Sequence, residues 1–154
     1  MNLDQGRTMG SSEESPCTAS KMMQRLSISI FLVGLHSVTL GFFIFFFTNT
    51  FYQFFFGVAV DNLFLLRQAG LFLFCLGLFY LVPLTDLSNS HRAVDLIILT
   101  KLLAVLFLLN NAWLVAKPEP LFLAAAGDAL MACLLIFFSA KTGMLLKRSQ
   151  RKEP

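Results

Sequence analysis

Long apolar runs separated by short polar stretches dominate this chain. Four runs stand out, at about Leu26–Phe47, Leu63–Leu84, Ala93–Val115 and Leu121–Ala140. Each is longer than the roughly 18 mostly apolar residues that mark a membrane-spanning helix. The expected fold is therefore all-α, a four-transmembrane-helix antiparallel bundle formed by a single domain over residues 21–140. Small residues recur at helical spacing inside the runs. Gly34 and Gly41 lie seven apart in the first, and Gly70 and Gly77 lie seven apart in the second. Each pair shares a helix face, where small side chains let a neighbouring helix approach closely. Ala124, Asp128 and Ala132 form a comparable stripe in the fourth run, and Gly127 beside Asp128 is expected to allow a close approach that shields the carboxylate.

The polar stretches complete the layout. Residues 1–20 are rich in Ser and Gly, bury too little apolar surface to order themselves, and are expected to be a disordered tail. They carry acids, and the apolar run after them is too long for the h-region of a signal peptide. The connector TNTFYQFFFGVAVDN is aromatic, yet Asn49, Gln53, Asp61 and Asn62 make it too polar to span. A short interfacial helix or loop at the headgroups is expected there, since aromatic rings sit well at that level; a flap over the mouth of the bundle is the alternative. TDLSNSHR joins the second and third runs, and Lys117-Pro-Glu-Pro120 makes a tight turn between the third and fourth. Residues 141–154 form a basic tail.

Composition narrows the class. Of 154 residues, 56% are hydrophobic and only 14% charged, too little charge to cover a soluble domain of this size. The net charge of +3 is no nucleic-acid signature, and the placement of the basic residues reads as topology. With both termini cytoplasmic, nine Lys and Arg fall inside: Arg7, Lys21, Arg25, Arg92, Lys141, Lys147, Arg148, Arg151 and Lys152. Arg67 and Lys117 fall outside and Lys101 is embedded, in accord with the positive-inside rule. Cys17, Cys75 and Cys133 have neither CxxC nor Cys/His metal spacing; the latter two lie in apolar runs, where a thiol serves as a small hydrophobe. No metal and no cofactor is expected.

The chemistry lies in polar groups within the runs. A charged side chain at the centre of a membrane helix costs at least about 2.5–3.5 kcal/mol, so it comes with a partner, a cavity or a function. At about 1.5 Å per residue, His36 lies about 15 Å, Lys101 about 12 Å and Tyr80 roughly 6–8 Å above the inner boundary. Asp128 comes out at about 18–20 Å, and Arg67 within the first turn or so of the outer end. Lys101 and Asp128 are the sharpest pair, with Arg67 as the competing partner for Asp128. A structural ion pair and a proton-active or ligand-binding pair both fit. His36 reads as an interhelical hydrogen-bonding group or as a proton shuttle, and Tyr80 as an interfacial anchor or a site phenol. No GxGxxG, P-loop, HExxH, nucleophile elbow or paired carboxylates occur.

The order of these features resembles the DoxX-like group of small bacterial four-helix membrane proteins. The matching residues are the aromatic first loop, the R-x-x-G-x6-G-x-x-Y run at Arg67, Gly70, Gly77 and Tyr80, the basic Lys101 in helix three, and Gly127-Asp128 in helix four. The resemblance implies a left-handed four-helix bundle in a bacterial inner membrane. The expected function is a non-catalytic bundle that holds a membrane lipid or lipophilic small molecule, with Arg67, Tyr80, Lys101 and Asp128 as binding residues. A small subunit of a membrane complex, partnered by another membrane protein or a second copy, is equally open. The alternative is an enzyme acting on a lipid, quinone or isoprenoid, with Asp128 or His36 as proton donor or acceptor.

Overall fold

A computed structural model describes residues 16–57, 62–87, 89–114 and 119–142. Within them the chain forms α1 (Pro16–Phe46), α2 (Thr48–Phe56), α3 (Leu63–Leu81), a short 3₁₀ turn (Val82–Thr85), α4 (His91–Ala112) and α5 (Glu119–Lys141). No strand occurs among the described residues. Four helices are long and apolar enough to cross a membrane, over Ser20–Phe46, Leu63–Thr85, His91–Ala112 and Glu119–Lys141. Arg7, Lys117, Lys147, Arg148, Arg151 and Lys152 lie outside the described residues, as do residues 1–15 of the expected tail.

Local chemistry explains the boundaries. The first helix already includes Pro16–Ser20, part of the stretch expected to be a disordered tail. Lys21, Met22, Met23, Gln24 and Arg25 are good helix formers. Phe47 leaves helical geometry between α1 and α2. Thr48, buried beside it, donates its hydroxyl to the Ile44 carbonyl at 2.6 Å. The aromatic connector is thus a nine-residue helix, closed by Gly57 in the left-handed region at φ 67°, which only glycine occupies without strain. Pro83 is buried in the 3₁₀ turn that ends the third segment.

Packing is uneven. α1 lies along α3 and α4 lies along α5, and the two pairs meet mainly through α1 and α5. No extended packing joins α3 to α4 or α5. The register of α1 against α3 runs through all four glycines. Gly34 sits against Leu81 and the Gly77 carbonyl, and Gly41 against the backbone of Phe74 and the Gly70 carbonyl. A Cβ on Gly77 would lie 2.6 Å from the Val38 nitrogen, and one on Gly70 2.7 Å from the Phe45 nitrogen. Backbone meets backbone along this seam, so no side chain fits between. Gly127 behaves otherwise: a Cβ there would meet nothing within 4 Å, so the expected close approach beside Asp128 does not occur. The buried stripe of α5 is Ala125, Ala132, Leu135 and Ser139, and Ala124, expected within it, is exposed.

The apolar core occupies one end of the molecule. It gathers Leu26, Ile30 and Val33 from the start of α1, Tyr80 from the end of α3, Val94, Ile97 and Ile98 from the start of α4, and Leu135 from the second half of α5. Met23, Leu76, Leu84, Leu87, Met131 and Phe138 pack against it. Large apolar side chains elsewhere, such as Phe64, Phe72, Phe79, Leu106, Phe107 and Leu123, are exposed on the helix surfaces. An apolar exterior of this kind suits lipid as the surrounding solvent.

Replacing Gly41 or Gly77 with Leu forces the α1–α3 backbones apart and is expected to destabilise the protein by about 1–3 kcal/mol or more, the usual range for overpacking. Gly127→Ala meets open space in a helix interior and is expected to stabilise by up to about 1 kcal/mol. Thermal unfolding in a mild detergent separates the two outcomes.

Candidate functional site

The apolar core ends in a polar layer built from all four long helices. Along α1 the buried face reads Leu26, Ile30, Val33, Ser37, at spacings of four, three and four, so Ser37 extends the core face by one turn. α4 continues Val94, Ile97 and Ile98 into Lys101 in the same way, and α5 brings Asp128 to that level. The Lys101 ammonium donates to Asp128 Oδ1 at 2.6 Å and to Ser37 Oγ at 3.4 Å. It stands 6.0 Å from the centroid of the Tyr80 ring, within range of a weak cation–π attraction. The Tyr80 phenol faces the Thr100 side chain, whose own hydroxyl donates to the Leu96 carbonyl at 2.7 Å.

Burial makes this pair unusual. The Lys101 side chain is 6% exposed and that of Asp128 14%. Taking two charges out of water is costly, and close contact with extra hydrogen bonds is what offsets the cost. Here the contact is short, and Ser37 supplies a second acceptor to the ammonium. The layer as a whole is neutral, with one formal positive and one formal negative charge.

The sequence candidates separate on this geometry. Tyr80, Lys101 and Asp128 come together. Tyr80 is 3% exposed and so is a core residue, not an interfacial anchor. Its place follows from Gly77 one turn earlier, which holds α3 against α1 and turns the Tyr80 face inward. Arg67 does not join them. It is exposed near the start of α3, thirteen residues from Tyr80 and hence about 20 Å along the axis. The partner of Asp128 is Lys101, the sharper of the two sequence candidates, whose flexible stem spans the axial offset. His36 lies within electrostatic reach of both Lys101 and Asp128, yet its side chain is exposed. It makes none of the expected interhelical hydrogen bonds among the described residues.

Comparison with family profiles, curated proteins and solved structures finds no match to this chain. What the site can do must therefore be read from its own atoms.

Two participants escaped the sequence reading. Ser37 follows Leu26, Ile30 and Val33 at core spacing, and a hydroxyl continuing an apolar stripe at the depth of a buried lysine is a legible signal. Thr100 stands next to Lys101 and carried no signal of its own, because a threonine in a membrane helix ordinarily bonds its own backbone. Elsewhere, Tyr52 on α2 stacks on Phe56 with ring centroids 5.3 Å apart, and burial pushes its phenol above the usual tyrosine range. Cys75 and Cys133 are free and exposed on the helix surfaces, and no group of three or more metal-ligating residues occurs among the described residues.

Removing one partner of a buried ion pair strands the other charge, at a typical cost of about 3–5 kcal/mol. Lys101→Met and Asp128→Asn are therefore each expected to destabilise the protein strongly. The double variant is expected to recover much of the loss. Unfolding in detergent of the two single variants and the double variant measures this directly, and losses that simply add would show that the two side chains are not coupled.

Proposed function

We propose that this chain is an integral membrane protein whose antiparallel four-helix bundle holds a lipophilic small molecule above the Lys101–Asp128 layer. Four apolar helices support the membrane assignment. One observation carries the holding role. A desolvated ion pair closes off the apolar core, and beyond it large apolar side chains such as Phe64, Leu106, Phe107 and Leu123 stand exposed on the helices. A bundle that needed only to be stable would continue its apolar core through the whole span.

Both termini are placed on the cytoplasmic side of the proposed bundle. Lys21, Arg25, Arg92 and Lys141 support this: all are exposed and all lie at the core end, whereas Arg67 lies at the opposite end, the asymmetry expected of the positive-inside rule. Membership of the DoxX-like group and residence in a bacterial inner membrane belong to the same proposal. They rest on the order of Arg67, Gly70, Gly77, Tyr80, Lys101 and Asp128 along the sequence.

Holding is favoured over proton transfer. A carboxylate bound at 2.6 Å to an ammonium is engaged before any substrate arrives, and the exposed His36 makes no hydrogen bond to the pair among the described residues. A specific observation also favours a role as a subunit of a membrane complex. Half-buried Ser29 and exposed His36 and Thr39 fall at spacings of seven and three on one side of α1. A polar stripe at mid-span on a lipid-facing helix is the kind of surface that recruits a second membrane helix.

Native mass spectrometry of protein extracted in a mild detergent tests both. The holding reading expects a monomer with one retained lipophile, lost when Asp128 is replaced by Asn. The subunit reading expects a defined oligomer that falls apart in His36→Leu. A monomer that never carries a lipophile contradicts both.

A further inference from the structure

The short aromatic helix α2 has three distinct sides. At about 100° per residue, Thr48, Tyr52 and Phe56 share one side, Phe51, Phe54 and Phe55 a second, and Asn49, Thr50 and Gln53 the third. The first side faces the protein. Thr48 is buried, and Tyr52 and Phe56 are half-buried with their rings stacked; α2 touches both α1 and α3. The other two sides differ in kind. Phe54 is 81% exposed and Phe55 39%, with ring centroids 5.2 Å apart. Asn49, Thr50 and Gln53 are all exposed and offer only amides and a hydroxyl.

Helix lengths put α2 at a membrane boundary. From Arg25, near the basic end of α1, to Thr48 the chain rises about 34 Å, against a hydrocarbon core of about 30 Å. From Arg92 to Trp113 on α4 the rise is about 32 Å by the same measure. Trp113 is 83% exposed, and a tryptophan at the end of a span favours the headgroup level. Thr48 and Trp113 thus reach the boundary opposite the basic residues. Helical geometry breaks only at Phe47 between α1 and α2. Phe47 N–H still donates to the Phe43 carbonyl at 2.9 Å, and Phe51 N–H to the Phe47 carbonyl at 2.8 Å, which satisfies the junction where water is scarce. No Asp, Glu, Lys or Arg occurs between Arg25 and Asp61, so α2 carries no charge.

We infer that α2 is an uncharged anchor lying in the membrane–water boundary, with the Phe51, Phe54 and Phe55 side set into the upper acyl chains of phospholipid and the Asn49, Thr50 and Gln53 side among headgroups and water. The inference rests on the membrane assignment and is independent of what the bundle holds. An apolar side and a polar side separated around the exposed circumference are what a helix at this boundary needs, its apolar side entering by about 5–10 Å. A flap over the mouth of the bundle turns its rings inward, whereas Phe54 is the most exposed ring of α2. The connection to α1 is one residue long, so α2 stays at the lipid surface where that span ends. Interfacial helices commonly hold anionic lipid through Lys and Arg on the polar side. α2 has neither, so ring burial holds it, and headgroup charge and salt have no lever on it.

Single-tryptophan variants of the full-length protein in phosphatidylcholine vesicles test this. Trp113 is the sole tryptophan, so Trp113→Phe gives a silent background. In it, Phe54→Trp and Gln53→Trp report the two exposed sides of α2, and Leu103→Trp, at an exposed mid-span position of α4, reports the hydrocarbon core. The quenchers are phosphatidylcholine brominated high on its acyl chains, phosphatidylcholine brominated near the chain ends, and aqueous acrylamide. Phe54→Trp is expected to be quenched severalfold more by the high bromines than by either other quencher, and Gln53→Trp mainly by acrylamide. Replacing part of the lipid with phosphatidylglycerol, or raising the salt, is expected to leave both patterns unchanged. Quenching of Phe54→Trp mainly by acrylamide overturns the inference. So does its protection from all three quenchers, which marks rings covered by protein, either this bundle or a second copy. Strongest quenching by the chain-end bromines places α2 inside the core and overturns it too, and a response to phosphatidylglycerol or salt overturns the uncharged anchoring. Leu103→Trp is expected to respond most to the chain-end bromines; its failure to do so overturns the membrane assignment and this inference with it.

Discussion

A lysine ammonium buried in the middle of a membrane-spanning bundle is the constraint on which the rest of this structure turns. On its own such a group is intolerable in hydrocarbon, so Lys101 fixes what must surround it. Asp128 has to arrive at contact distance from α5, Ser37 has to face inward from α1, and the Tyr80 ring has to stand nearby on α3. Each of these requirements sets the rotation of a helix about its axis. Apolar packing alone specifies rotation weakly in lipid, because lipid tails are as apolar as leucine. The polar layer gives the bundle a register that its leucines and phenylalanines cannot supply.

The glycine seam is the other half of the same solution. Four glycines let α1 and α3 touch backbone to backbone, and that contact brings Ser37 and Tyr80 to one level. α4 and α5 form the second rigid pair, and they carry the ion pair between them. The pairs join mainly through α1 and α5, in the apolar core and in the polar layer next to it. Stability is thus concentrated at the end that bears Leu26, Ile30, Val94 and Leu135. The other end carries exposed apolar side chains such as Phe64, Leu106, Phe107 and Leu123.

Much of this was legible in the sequence, for definite reasons. Four apolar runs give four helices because a spanning segment must satisfy its backbone internally. Gly34, Gly41, Gly70 and Gly77 announce a close contact by their spacing of seven. Lys101 and Asp128 are conspicuous because charge is rare in such runs. What the sequence left open was mostly a matter of direction. Axial depth placed Lys101 and Arg67 on either side of Asp128; it pointed to Lys101 as the sharper partner and kept Arg67 as a competitor, since the outcome depends on side-chain reach and helix rotation. His36 has the depth of the polar layer and the wrong face, one residue from Ser37, which has both. Ala124 and Gly127 looked like packing residues because small side chains are so often used that way. Here the space they leave is not filled by another helix.

The central claim is that Lys101 and Asp128 are in direct contact inside the bundle when the protein is in a bilayer. Magic-angle-spinning NMR on isotope-labelled protein in lipid measures the dipolar coupling between Lys101 Nζ and Asp128 Cγ. The account predicts a through-space coupling above the noise, as required by a nitrogen–oxygen separation of 2.6 Å, that survives at high salt because the pair is largely buried. A coupling at the noise level, or one between Asp128 and Arg67 instead, would contradict it.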